Sequence, residues 1–228
     1  MINSNLFLKA DGKVLRDHYG TGNIVTLRGT NVGGWQVMEQ WMCPTDSPDQ
    51  MTTIKVLTIR FGKEKAEELI KTYEQAWWQE SDFDYAKELN FNVLRLPISY
   101  LNLMDECGNI RKDTLDTIDW FVDQCNKRDI YVILDLHAAP GSQNGRDHSG
   151  DIRGSELFHN ETYMQQTIFL WEELARHYKD NPTIAGYDLL NEPEGDYEER
   201  APWGAVQFPF YDRLYQAIRR IDPDHMII

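Results

Sequence analysis

The tripeptide Asn191-Glu192-Pro193 closes the apolar run IAGYDLLNEPE and carries a carboxylic acid to where a buried strand would meet a rim. A desolvated carboxyl group in that position is suited to donate a proton to a leaving-group oxygen. Asn191 beside it can donate an amide hydrogen bond to a substrate hydroxyl, and Pro193 fixes the exit of the backbone. An acidic strand end followed by a turn proline has the same three residues, so the tripeptide alone leaves both readings open.

Arg95 lies in the apolar context VLRLP. A guanidinium there requires a carboxylate, because an isolated buried charge costs several kcal/mol. Glu192 and Asp188 are the candidate partners, sharing one strand parity, and a buried Arg–Asp pair that only holds the sheet fits equally. His137 ends a strand in DLHAAPGSQNG, ahead of a loop rich in Gly, Ser and Asn that suits hydroxyl-rich ligands. Asp135 and His137 alternate onto one face and raise the question of a metal. No HxH, HExxH or third ligand at usable spacing accompanies them, so neither a metal nor a cofactor is expected. NVGGWQ lacks the spacing of the dinucleotide and P-loop fingerprints, which argues against a phosphate cradle.

These residues need strands to carry them. Short apolar runs alternate with amphipathic segments, a βαβα pattern that indicates a parallel sheet covered by helices. After an N-terminal hairpin over about 6–28, strands are expected at Val25–Val32, Phe91–Ile98, Asp129–His137, Thr183–Glu192 and His225–Ile228. Four helical stripes lie between or beside them: Ala66, Leu69, Ile70, Tyr73 and Trp77; Leu115, Ile118, Phe121, Val122 and Cys125; Met164 through Tyr178; and Phe208, Tyr211, Leu214, Tyr215, Ile218 and Ile221. Ser81 and Asp113 stand where N-caps are expected. With no repeat and no linker, one domain is expected over 1–228. Asn31, Arg95, Asp135, His137, Asn191 and Glu192 fall at the C-terminal ends of strands, the active-site rim of a (β/α)₈ TIM barrel.

Composition narrows the partners. The 228 residues carry a net charge of −14, which repels phosphate backbones and anionic membrane surfaces, so neither nucleic acid nor a membrane is expected. Neutral ligands remain open, and 12% aromatic residues would suit stacking on sugar faces. Cys43, Cys107 and Cys125 form no CxxC pair and read as reduced, buried thiols. The start MINSNLFLKADGK lacks a basic and then apolar leader, so a cytoplasmic protein is expected, or a secreted one whose leader has been removed.

Four segments, LRGTNVGGW, FNVLRLPISY, VILDLHAAPGSQNGRDHSG and IAGYDLLNEPE, in this order and at these separations, resemble glycoside hydrolase family 5, the cellulase family. The likeness runs from about Leu27 onward and is nearest to the branch of exo-β-1,3-glucanases. It implies a (β/α)₈ barrel, of which this chain holds about the first four to five βα units, acting on β-glucans or β-glucosides with retention of configuration. It implies Glu192 as proton donor and general acid/base, Asn191 on the sugar 2-hydroxyl, and Arg95 and His137 supporting carboxylates and substrate. It further implies Glu39 and Asp147 on the non-reducing-end sugar. Asn144, in the polar loop, and Trp35, as a stacking ring, are expected as additional substrate contacts. Trp35, Trp41, Trp78 and Trp203 offer rings for stacking, of which at most two are expected at the cleft.

The chain departs from the family pattern at Arg146, where the branch often carries an aromatic residue. It also stops before the seventh strand, from which the family draws its nucleophile, so the second carboxylate is expected to lie outside these residues. Glu194 and Asp188 are poor substitutes. The expected function is therefore a retaining β-glycosidase or β-glucanase represented by its acid/base half. Two further readings stay open: a non-catalytic carbohydrate-binding or interaction module that self-associates to cover its sheet edges, and a metal-dependent barrel hydrolase using Asp135 and His137.

Overall fold

A computed structural model describes residues 6–43, 45–111, 114–194 and 204–228. Strands β1 (Lys9–Asp11), β2 (Val14–Arg16) and β3 (Ile24–Val25) form an antiparallel sheet, so the expected hairpin gains a third strand. The chain then runs through β4 (Gly29–Asn31), α1 (Gln50–Phe61), α2 (Lys63–Trp77), α3 (Glu80–Glu88) and β5 (Val93–Ser99). It continues through α4 (Tyr100–Leu103), α5 (Asp116–Lys127), β6 (Tyr131–Ala138), α6 (Glu161–Tyr178), β7 (Ile184–Asp188), α7 (Gln207–Arg219) and β8 (Met226–Ile227).

Strands β4 to β8 form a parallel sheet in unbroken sequence order. A doubly wound fold would reverse that order at a switch point. One parity of the strands, Leu94, Leu96 and Ile98 on β5 with Val132, Leu134 and Leu136 on β6, shares a core with Phe121 of α5, Trp171 of α6 and Leu214 of α7. Each of these three helix residues is fully buried, contributing about 1.5–3 kcal/mol. On the other parity Val93, Tyr131 and Ala185 meet Leu8 and are packed by Val25 and Leu27, so the N-terminal strands cover that end of the sheet. Sequential parallel order with helices packed on one face is the arrangement of a (β/α) barrel wall.

The expected Val25–Val32 strand is divided between the two sheets. Asn92 takes the place of a strand partner there: its side chain accepts from Arg28 N at 2.7 Å and donates to Thr26 O at 2.9 Å. Gly29 then passes so close to β5 that an added Cβ would lie 1.7 Å from Val93 O, which restricts the position to glycine. The expected Thr183–Glu192 strand ends at Asp188, although Leu189 and Leu190 stay buried. Leu189 N still donates to Ile228 O at 3.2 Å, while its carbonyl accepts from Trp171 Nε1 and Asn191 N donates to Leu136 O.

Helix details also shift. The cap of α3 is Gln79, reciprocally bonded with Asp82, and Ser81 lies inside the helix. Asp113 and Trp203 lie outside the described residues. On α7 the buried positions are Phe210, Leu214, Ala217 and Ile218, whereas Phe208 and Tyr215 are exposed. On α2 only Ala66 is fully covered. Cys43 and Cys125 are buried, but Cys107 is exposed. Among the described residues no helix is long and apolar enough to cross a membrane.

A buried polar knot ties β7 to the start of β8. Tyr187 donates to Asp222 Oδ2 at 2.7 Å, His225 Nδ1 lies 2.5 Å from the same oxygen, and His225 Nε2 lies 2.9 Å from Asn181 O. Burial alone would raise the Asp222 carboxyl, but the hydrogen bonds from His225 and Tyr187 overcome it and hold the group at about 2. A depressed carboxyl contributes stability that is complete above its unfolded value of about 3.9 and is lost as pH falls through the folded value. Urea unfolding between pH 4 and pH 2 should therefore show a loss of about 2 kcal/mol from this group, and Asp222→Asn should flatten that segment of the pH curve. An equally steep curve in the variant would remove Asp222 from this role.

Candidate active site

At the C-terminal ends of β6 and β7, register pairs Asp135 directly with Asp188. Adjacent like charges in a partly dry site repel, and Arg95 of β5 resolves the conflict. Its Nη1 lies 3.0 Å from Asp135 Oδ2, and its Nε and Nη2 donate to Asp188 Oδ2 at 2.9 and 2.8 Å. The remaining donor capacity reaches Asn31 Oδ1 at 3.1 Å and Asn191 Oδ1 at 3.0 Å. The partner of Arg95 is thus Asp188, one of the two expected, together with Asp135; Glu192 is not among its partners. Burial, then the charge of Asp135, raise the Asp188 carboxyl above the usual carboxylate range, against the pull of Arg95.

Asp135 has a second task. It is fully buried, and its Oδ2 lies 2.5 Å from His137 Nδ1. A carboxylate at that distance fixes the Nδ1–H tautomer and leaves Nε2 facing outward. Across from it, 4.0 Å away, stands Glu39 Oε1 on the β4–α1 connection, whose Oε2 accepts from Trp41 Nε1 at 2.8 Å. Asp135 Oδ2 is engaged by both a guanidinium and an imidazole, the chemistry of an orienting carboxylate. Among the described residues no group of three or more His, Cys, Asp or Glu is arranged to hold a metal ion.

Glu192 lies four residues beyond the end of β7, in a turn with φ 42°, a left-handed conformation uncommon for a residue with a Cβ. Its side chain is 55% exposed, so it is presented to solvent and is not desolvated at a strand end as its sequence context suggests. The β6–α6 loop holds the turn in place. Gln143 Nε2 donates to Asn191 O and Asn144 Nδ2 to Glu192 O, both at 2.9 Å, while Arg146 pairs with Glu194 at 2.5 Å. The loop takes its shape partly from Gly141, at φ 77°, where a Cβ would lie 2.3 Å from the Tyr163 ring.

The structure therefore gathers Arg95, His137, Glu39, Asn191, Glu192 and Asn144 on one rim, with Asp147 in the 147–149 turn of the adjoining loop. Trp35 is a correction: it is 1% exposed, packed between Trp120 and Phe121, and its Nε1 donates to Glu74 O. A ring in that position has no face for a ligand. Trp78 likewise packs on Phe83 and Phe121, whereas Trp41 is 77% exposed beside Glu39. One rim residue carries no expectation from sequence. His148 lies 3.3 Å from Glu192 Oε2, and it escaped notice because 44 residues separate two groups that only the folded loop brings together.

With this geometry in place, comparison with known proteins is decisive. The family profile described as Cellulase (glycosyl hydrolase family 5) matches residues 61–228. The chain belongs to glycosyl hydrolase family 5. A beta-xylosidase of Phanerodontia chrysosporium is 36% identical over 225 residues, covering 97% of this chain and 45% of that protein. A glucan 1,3-beta-glucosidase of Candida oleophila is 31% identical over 210 residues, covering 86% and 48%. The chain thus spans about half the length of the curated relatives it matches. Among solved structures, a rutinosidase from Aspergillus niger superposes with a TM-score of 0.75 at 17% identity, over 88% of this chain and 61% of that one. That likeness establishes the TIM-barrel fold.

The Glu39 connection rests on a buried amide network beneath it. Asn102 Nδ2 donates to Gln36 O and to Glu74 Oε1 at 3.0 and 2.9 Å, and Gln50 Nε2 donates to Asn102 Oδ1 at 2.6 Å. Burial pushes the Glu74 carboxyl up to about 7, partly opposed by Arg111 and Lys71. A raised carboxyl contributes stability that is complete below its unfolded value of about 4.3 and is lost as pH rises through the folded value. The urea midpoint should therefore fall between pH 5 and pH 8, and less so in Glu74→Gln, which retains an acceptor for Asn102; identical slopes would refute the assignment. Arg95→Ala should be more severe, leaving Asp135 and Asp188 uncompensated and costing about 3–5 kcal/mol in chemical unfolding. A loss below 1 kcal/mol would show that the two carboxylates do not depend on it.

Proposed function

We propose that this chain carries the proton-donor side of a retaining β-glycosidase site that hydrolyses β-glucosidic bonds in oligo- or polysaccharides. The observation that carries the reading is Glu192, a carboxyl group presented on the rim by a turn fastened through Asn144. Asn191 beside it has its amide orientation fixed by Arg95. With Asn191 Oδ1 accepting from the guanidinium, its Nδ2 is the donor left for a sugar hydroxyl. The names of the relatives, a xylosidase and glucan 1,3-glucosidases, support a β-linked sugar substrate.

In this mechanism Glu192 protonates the glycosidic oxygen as the bond to the anomeric carbon breaks, while a second carboxylate attacks that carbon from the opposite face. Glu192, now ionised, takes a proton from the water that cleaves the resulting glycosyl ester. Retention requires the two carboxyl groups to be about 5–5.5 Å apart. Asp135 and Asp188 are committed to Arg95, Glu39 to Trp41 and Glu194 to Arg146, so we assign the nucleophile to none of these four.

In the intact gene product, Glu192→Gln should lower kcat/KM for substrates with sugar or alkyl leaving groups by about 10²–10⁴-fold. Aryl glycosides with acidic phenol leaving groups, which need little proton donation, should be affected far less in the bond-breaking step. Unchanged hydrolysis of poor leaving groups would eliminate Glu192 as the proton donor.

A further inference from the structure

Being exposed and on a turn, Glu192 must have its carboxylate aimed by something other than burial. Backbone contacts from Asn144 fix the main chain, not the carboxylate. Among the described residues the group paired with that carboxylate is His148, whose side chain is 12% exposed and whose Nε2 lies 3.3 Å from Glu192 Oε2. The His148 backbone belongs to a closed 3-10 turn over 147–149, in which Gly150 N donates to Asp147 O at 3.0 Å and Ser149 Oγ to Arg146 O at 2.7 Å. Ser142 Oγ and Ser149 Oγ, 2.6 Å apart, tie that turn back to the start of the loop. The imidazole stands edge-on to the ring of His137, with centroids 5.5 Å apart at 69°.

The direction of its hydrogen bonds can be worked out from the ion cluster outward. Arg95 has only donors, so Asn191 presents its oxygen to Nη2 at 3.0 Å, and this fixes which way the amide points. Asn191 Nδ2 then faces His148 Nδ1 at 3.4 Å. An amide nitrogen can only donate, so Nδ1 is the bare nitrogen of the ring. The proton of the neutral imidazole is left on Nε2, the atom 3.3 Å from Glu192 Oε2.

We propose that His148 is a positioning residue for Glu192, a neutral imidazole in the Nε2–H tautomer that relays the orientation of Arg95 and Asn191 to the carboxylate of the acid/base. This rests on the role proposed for Glu192 and deepens it. The relay runs from the Asp135–Arg95–Asp188 cluster through the Asn191 amide and the His148 ring to a carboxylate that the sheet itself does not touch. Asn191 Nδ2 carries two N–H groups, so one can reach His148 Nδ1 while the other serves a sugar hydroxyl.

The test compares His148→Ala, His148→Asn and His148→Gln in the intact gene product. The Gln amide extends to the place of the imidazole Nε2, whereas the Asn amide stops near the place of Nδ1. Ala and Asn should lower kcat for sugar or alkyl leaving groups about tenfold, with KM little changed and aryl glycosides with acidic leaving groups nearly unaffected; Gln should restore much of the loss. Equal losses on both substrate classes, or no loss on either, would overturn the proposal. So would a His148→Ala loss that persists undiminished in a Glu192→Gln background. The role of Glu192 stands or falls separately, on Glu192→Gln alone. Independently of activity, ¹⁵N-histidine spectra of the intact protein, with His148 assigned by its absence in His148→Gln, should show a bare Nδ1 and a protonated Nε2. The opposite tautomer would refute the relay.

Discussion

Two carboxylates side by side at the ends of neighbouring parallel strands would repel, and a single guanidinium makes that arrangement stable. Asp135 and Asp188 are in register across β6 and β7, and Arg95 reaches both from β5. Removing the arginine would leave two neighbouring acids without their shared cation, in a site where one is fully buried. Lysine, with one ammonium, would not present the planar array of donors that meets Asp135, Asp188, Asn31 and Asn191 together. The cluster therefore does two things at once. It permits a polar interior among apolar strands, and it sets the direction of each polar group around it.

Direction is what a rim needs for chemistry. Asp135 sets the tautomer of His137, and Arg95 sets the amide orientation of Asn191. Glu39 faces His137 from a different connection, itself supported by buried amides of Gln36, Gln50 and Asn102. Preorganised groups of this kind need little rearrangement when charge moves, which is where most enzymatic stabilisation of a transition state originates. Glu192 differs in being held by a loop, and loops are where members of one fold vary their specificity.

Much of this was legible in the sequence. The buried strands carrying Arg95, Asp135 and His137 stood out as continuous apolar runs, and one of the two carboxylates expected for Arg95, Asp188, is its partner in the fold. The rest required three dimensions. The apolar run that continues through Leu190 conceals where β7 stops, because burial and ladder pairing are different properties and only the first shows in residue type. Trp35 adjoins the double glycine and resembles a ligand platform, yet it is interior, because exposure of an aromatic ring depends on what α2 and α5 place over it. Asn92 is silent in any periodicity, though its one side chain divides a strand between two sheets. His148 bears on Glu192 through a loop closure that no spacing rule encodes.

The small antiparallel sheet at the N-terminus joins the far end of the chain. Lys9 pairs with Asp224 at 3.0 Å across 215 positions of sequence, and the Phe7 ring lies against His225, with centroids 4.9 Å apart. Contacts of such separation form late, because the closure entropy of the intervening chain must be met before they offer any reward. On the ribosome the first strands emerge long before their partners at 224 and 225 exist. During that interval their apolar face has only the local hairpin for cover. Strands that leave the ribosome early are thus completed late, because the partners of Lys9 and Phe7 follow more than 200 positions behind them.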